Sequence, residues 1–160
     1  EIGIEWFATP MYVDAVNLLN PYVKRFKIRE FDSRLLAQNK TNDLIEKIFQ
    51  TNKDVIISSQ SLPSKLDSYP NKVDWLYCVP KYPCLLNDLD FSKLSSFDGF
   101  SNHCQNIIAP LTAAILDTNI IEIHLTIDKK QNFVDNNVSF DPNELKQLTN
   151  FIKLSKQIKK

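Results

Sequence analysis

The sequence predicts an α/β fold with a parallel sheet. Three observations carry that expectation. Short apolar runs, most of them rich in β-branched or aromatic residues, recur along the chain and end in polar or turn residues. Amphipathic stretches at helical spacing separate them. The two kinds of segment alternate throughout, and strands joined by helical crossovers lie parallel.

Six βα units are legible, two of them with degenerate helices. The first apolar run is residues 4–8, followed by a short amphipathic helix at 13–19. The second run, 23–28, leads into a long segment that extends to Thr41. A helix over 42–51 follows, with Leu44, Ile45, Ile48 and Phe49 on one stripe. The third run is 54–58; the stretch 62–71 holds two prolines and has room for one short helical turn at most. The fourth and fifth runs are 73–79 and 97–101, and a strongly apolar helix is expected over 107–116. The sixth run is 120–126. The last helix opens on Asp141-Pro142-Asn143-Glu144, an N-cap, a first-turn proline and a capping-box Glu. Its stripe is Leu145, Leu148 and Ile152, and Lys153, Lys156, Lys159 and Lys160 sit where the helix dipole favours cations.

The sixth run is the most informative. Glu122, His124 and Thr126 alternate with Ile121, Ile123 and Leu125, so the polar set shares one face. A buried carboxylate and imidazole are expensive unless paired or bound to a metal. The chain has two histidines, and His103 likewise follows a predicted strand, near the end at which α/β enzymes build their sites.

Composition narrows the function classes. Hydrophobic residues make up 43%, enough for a packed core, and 160 residues suit one domain or part of a larger one. Lys+Arg and Asp+Glu are 19 each, so no charge imbalance calls for nucleic acid or an anionic membrane. No apolar run approaches membrane-spanning length. Three irregularly spaced cysteines (Cys78, Cys84, Cys104) fit a reducing cytoplasm better than a disulfide framework. Two glycines rule out a glycine-rich phosphate loop, so side chains or helix N-termini must hold any phosphate. The chain begins at Glu1-Ile2-Gly3 and runs straight into an apolar segment, as a piece cut from a longer protein would.

Several local segments, in order, resemble the sialic acid synthase family. Trp6-Phe7-Ala8-Thr9-Pro10 resembles its "FFSTPF", Phe26-Lys27-Ile28 its "YKIAS", and Val55-Ile56-Ile57-Ser58-Ser59 its "VILSTG". Tyr77-Cys78-Val79-Pro80-Lys81-Tyr82-Pro83 resembles "HCVSEYPTP", and Gly99-Phe100-Ser101-Asn102-His103 resembles "GYSDH". Ile121-Glu122-Ile123-His124-Leu125-Thr126 is similar to "IEKHFT", and the stretch from Asp135 to Pro142 to "DHxxSLxP". The resemblance implies a (β/α)₈ TIM barrel of which this chain supplies strands three to eight. A whole barrel needs roughly 250 residues, so the first two βα units would lie upstream and the fragment alone would be inactive.

It further implies a metal-assisted condensation of phosphoenolpyruvate with an N-acyl amino sugar to a nonulosonic acid, by a protein that is homodimeric at full length. His103 and His124 become the expected ligands of Mn²⁺ or Mg²⁺. Glu122 is expected in proton transfer or on a metal-bound water, against a structural pairing with a lysine. Asp135 is expected at the sugar or in proton transfer, against a simple turn role. Thr9, Lys27, Ser58 and Ser101 would hold phosphate and carboxylate. Tyr82 would line the sugar side.

Departures from the family pattern define an alternative, a barrel that binds metal or sugar without turnover. Glu30 replaces a serine, and its charge would repel phosphoenolpyruvate unless Arg29 pairs with it. Gln60 replaces a glycine, and Ile123 and Asn136 replace the Lys of "EKH" and the His of "DH". Asn102 replaces an aspartate and would leave His103 without a carboxylate to orient it.

Overall fold

A computed structural model describes residues 3–158. Lys159 and Lys160, expected beside the last helix, lie outside the described residues, as do Glu1 and Ile2. The chain divides into two compact units, residues 1–76 and 77–160.

The first unit begins with α1 (Val13–Leu19), β1 (Arg25–Ile28), α2 (Glu30–Leu36) and α3 (Asp43–Phe49), followed by β2 (Asp54–Ser59) and β3 (Val73–Tyr77, whose last residue opens the second unit). The strands lie in the order β1-β2-β3. β1 and β2 are parallel, with Phe26 opposite Val55 and Ile28 opposite Ile57. All four side chains are buried, and full burial of one such side chain contributes about 1.5–3 kcal/mol. α1 packs on α3, whose Leu44, Ile45, Ile48 and Phe49 are buried, and α2 packs on β2. Asn42 caps α3, its Oδ1 accepting from Ile45 N at 2.9 Å. Lys53 Nζ donates to the carbonyls of Asn20 and Val23, tying the exit of α1 to the start of β2.

Two expectations are corrected here. The first apolar run is not a strand: it contributes one parallel bridge, Ala8 with Phe26, and Ile4, Trp6 and Phe7 are exposed. The segment after β1 is the helix α2, which the apolar pattern hides. Its buried face carries Asp32 and Ser33 beside Leu36, and Ser33 Oγ reaches Ser58 O at 2.8 Å. The stretch 62–71 forms no helix, as its prolines require.

The second unit holds β4 (Gly99–Ser101), α4 (Ile108–Ile115), β5 (Ile120–Glu122) and α5 (Pro142–Ser155), with 3₁₀ turns at Leu86–Asp88 and Phe91–Ser96. β4 and β5 are parallel, with Ser101 opposite Glu122. Tyr77, Phe91, Phe97 and Phe100 form an aromatic cluster with ring centroids 5.1–6.3 Å apart. α4 lies on β4 and β5, and α5 lies on α4 through buried Leu148. The capping box of α5 forms as the sequence specifies: Asp141 Oδ1 accepts from Asn143 N and Glu144 N at 2.8 and 2.9 Å, and Glu144 Oε2 accepts from Asp141 N at 2.8 Å.

The sixth run is shorter and less buried than its pattern predicts. β5 stops at Glu122 because its partner does: Asn102 N donates to Glu122 O at 2.9 Å as β4 ends. The backbone then pairs elsewhere. Phe140 N donates to His124 O at 2.8 Å and Thr126 N to Phe140 O at 2.9 Å. Leu125 is exposed, and Glu122 and His124 are half-buried.

Candidate functional site

The second unit gathers Tyr82, Ser101, His103, Glu122, His124 and Asp135 near the ends of β4 and β5 and in their loops. Both histidines lie two residues past their strands. Their ring centroids are 5.5 Å apart at an interplanar angle of 63°.

His103 is buried and held by its backbone setting. Its Nδ1 lies 2.8 Å from Val79 O, and a carbonyl only accepts, so Nδ1 carries the proton. The lone pair is therefore on Nε2. There Tyr82 Oη sits at 2.7 Å, with the phenol O–H as donor. The Tyr82 ring also lies 4.1 Å from the His103 ring, centroid to centroid, and meets the His124 ring edge-on at 5.8 Å.

Val79 is the residue sequence reasoning missed, and it corrects the reading of Asn102. Orientation of His103 comes from a backbone carbonyl, so no carboxylate at position 102 is needed for it. Asn102 instead braces the turn after β4: its Nδ2 donates to Cys104 O at 2.7 Å and its Oδ1 accepts from Cys104 N at 3.2 Å. A backbone acceptor leaves no trace in residue type, so no motif could have revealed Val79.

His124 has Asp135 on its Nδ1 side, with Oδ2 at 3.7 Å, beyond hydrogen-bond length and within ion-pair range when the ring is protonated. Asp135 itself adopts a left-handed backbone, φ 66°. Its carbonyl accepts from Val138 N and Ser139 Oγ, both at 2.9 Å, which locks the turn that carries the carboxylate. Asn136 is a brace of the same loop, donating to Asp128 O at 3.1 Å and Gln131 O at 2.5 Å.

Glu122 and Ser101 form one unit. Ser101 Oγ, almost wholly buried, donates to Glu122 Oε2 at 2.5 Å. A hydroxyl donor at that distance is characteristic of an ionised acceptor.

In the first unit, Lys27 is half-buried on β1, opposite Ile56. Alternation along β2 puts Ser58 on the same face as Ile56 and hence as Lys27. Ser58 Oγ is buried and finds no hydrogen-bond partner among the described residues. An orphaned buried hydroxyl costs about 1–3 kcal/mol, which an oxygen-rich ligand would recover. Thr9 follows the Ala8 bridge and is half-buried. The pairing of Arg29 with Glu30 that would offset this charge is not what forms. Arg29 pairs with Asp32 at 2.5 Å, and Glu30 pairs with Arg34 at 2.8 Å one helical turn on. The charge at position 30 is matched within α2 all the same.

The spacing of the two histidine rings is compatible with their sharing a divalent cation. Two imidazoles sharing an ion about 2.1 Å from each nitrogen put their centroids roughly 5 Å apart, close to the 5.5 Å observed. Among the described residues no three His, Cys, Asp or Glu side chains form a group that could hold a metal ion, so the two imidazoles are the side-chain ligands on offer.

Comparison with known proteins defines the class first. The fold matches a solved N-acetylneuraminic acid synthetase from Leptospira borgpetersenii serovar Hardjo-bovis with a TM-score of 0.82 at 26% identity, over 96% of this chain and 57% of that one. Among curated proteins, the N,N'-diacetyllegionaminic acid synthase of Campylobacter jejuni is 28% identical over 91% of this chain and 48% of its own length. Human N-acetylneuraminate-9-phosphate synthase is 28% identical over 96% of this chain and 46% of its own. The NeuB family profile matches residues 1–160, and the chain belongs to the NeuB family. It spans about half the length of these curated relatives.

Proposed function

We propose that the protein to which this chain belongs condenses phosphoenolpyruvate with the open-chain aldehyde of an N-acylated amino sugar to give a nonulosonic acid. The observation that carries the proposal is the convergence of His103 and His124, 5.5 Å apart, in a NeuB-family chain. In this reaction C3 of the enol attacks the aldehyde carbon, water adds at C2, and C–O cleavage releases inorganic phosphate. The two imidazoles would hold a divalent cation, Mn²⁺ or Mg²⁺, which would supply Lewis acidity for the aldehyde oxygen.

The side chains take the remaining tasks. Val79 O keeps the proton of His103 on Nδ1 and so keeps Nε2 available as a ligand. Asp135 stands on the Nδ1 side of His124, which leaves Nε2 as the nitrogen turned to a cation. Glu122, held as an acceptor by Ser101, takes the proton of the water that adds at C2. Lys27 and Ser58 share a strand face and bind anionic oxygens of phosphoenolpyruvate, with Thr9 assisting. Tyr82 forms part of the sugar wall. The three buried cysteines form no disulfide among the described residues, in keeping with a cytoplasmic setting.

The test is phosphate release by the full-length protein from phosphoenolpyruvate and a panel of N-acyl hexosamines, with and without Mn²⁺. Wild type should release phosphate with at least one sugar, and His103→Ala and His124→Ala should each abolish the metal-dependent part. Mn²⁺ binding with no turnover on any sugar would favour the alternative, a barrel that binds without catalysis. Unchanged turnover in either histidine variant would remove the metal assignment.

A further inference from the structure

We propose that Asp88 is a positioning residue for His103: its carboxylate staples shut the loop over residues 79–88, and that loop grips His103 by both its ring and its main chain. The inference rests on the reading of His103 as a cation ligand and adds the group that keeps the ring in place.

The loop touches His103 at two points. Near its start, Val79 O accepts from the ring at Nδ1, 2.8 Å away. Further on, Cys84 N donates to His103 O at 2.9 Å. A tight turn shapes the first point: Lys81 N also donates to Val79 O, at 2.8 Å, across Pro80. A carbonyl has two lone pairs and serves both N–H groups. Proline suits the centre of this γ-turn. Its ring holds φ at about −65°, close to the value of about −75° that an inverse γ-turn needs.

Asp88 ties the two points together. Its Oδ1 accepts from Lys81 Nζ, on the residue that closes the turn at Val79 O. Its Oδ2 accepts from Leu85 N at 3.0 Å, on the residue after Cys84. Asp88 N returns a bond to Leu85 O at 3.0 Å, so the 3₁₀ turn at Leu86–Asp88 anchors the carboxylate on that side. Lys81, and after it the Leu85 amide, hold the Asp88 carboxyl below its ordinary value of 3.8, so it is charged at neutral pH. Lys81 is largely exposed, and an exposed ion pair contributes little to overall stability. The effect of Asp88 is on geometry instead. A ligand oriented through a backbone carbonyl is only as fixed as the loop that carries the carbonyl, and Asp88 links the two arms of this loop.

The test uses the full-length protein with ¹⁵N-labelled histidine. Wild type is compared with Asp88→Ala and Lys81→Met. Asn42→Ala, which removes the α3 cap in the other unit, controls for a general loss of stability. The readout is solvent exchange of the His103 Nδ1 proton, identified by its absence in His103→Ala. Exchange follows local opening and should quicken roughly tenfold or more in Asp88→Ala, with no change in Asn42→Ala. Lys81→Met leaves the Leu85 contact intact; it should show the same change at smaller size, and it carries the comparison if Asp88→Ala does not fold. Mn²⁺ titration should show roughly tenfold weaker binding by Asp88→Ala. Wild-type exchange in Asp88→Ala, or equal quickening in Asn42→Ala, overturns the staple. Faster exchange with wild-type Mn²⁺ affinity overturns it too, because the ring would then bind equally well unheld. Wild type that binds no Mn²⁺ overturns the metal reading instead, and the ring proton still judges the staple by the same comparison.

Discussion

Replacing Ser101 by alanine isolates the contact on which the role of Glu122 depends. The hydroxyl is 2% exposed and donates to Glu122 Oε2 at 2.5 Å, so water cannot replace it without rearrangement of the strand end. A hydrogen bond to a charged group contributes about 1.5–3 kcal/mol, and its loss leaves a half-buried carboxylate short of a donor. Ser101→Ala should therefore lower the unfolding free energy by about 1.5–3 kcal/mol, read as a shift in urea midpoint at constant m-value. If the same interaction persists in the transition state, kcat/KM falls by roughly 10- to 150-fold. The decisive form is a double-mutant cycle with Glu122→Gln. Two groups in direct contact should show a coupling of about 1 kcal/mol or more. Strictly additive effects, or a Ser101→Ala variant with wild-type stability and turnover, would refute the claim that Ser101 holds Glu122.

Other expected outcomes test the scaffold. Tyr69 Oη donates to Glu46 Oε1 at 2.7 Å. That bond, with a smaller contribution from Thr41, holds the Glu46 carboxyl below its ordinary value of 4.5, while burial and then Glu46 push the Tyr69 phenol up to about 12. The depressed carboxyl stabilises the fold above its unfolded pKa, and that contribution is lost as pH falls through the folded value. The raised phenol stabilises below pH 10.0 and loses its contribution as pH rises toward about 12. Tyr69→Phe should flatten both arms of a stability–pH curve measured by urea unfolding, and an unaltered curve would exclude the pair as their source. Asp141→Ala should destabilise by about 0.5–2 kcal/mol through loss of the α5 cap, checked by urea unfolding with far-ultraviolet circular dichroism; a smaller effect would mean that α5 is held by packing alone.

How far each element was legible depends on whether its cause is local. α1 and α5 follow from their own residues, and α5 carries its cap, proline and stripe within a few positions. Buried β2 likewise reads directly from a β-branched run. α2 was hidden because its inward face is polar and is satisfied by a carbonyl far along the chain, Ser58 O. The end of β5 was misplaced because a strand stops where its partner stops, and the residues beyond it change partner to Phe140. The first apolar run looked like a strand because alternation records potential for pairing, and pairing itself needs a neighbour in register.

The amino-acid sequence by itself determined the α/β class, the family and the identity of the candidate groups, because these rest on residue type and on spacing along one chain. Tertiary structure decided what those groups do to one another. It put the His103 proton on Nδ1 through Val79 O, set Tyr82 against the remaining lone pair, joined Ser101 to Glu122, and matched Glu30 with Arg34 rather than Arg29. Hydrogen bonds and ion pairs act over about 3 Å between atoms that folding brings together, and most of these partners are distant in sequence or belong to the backbone.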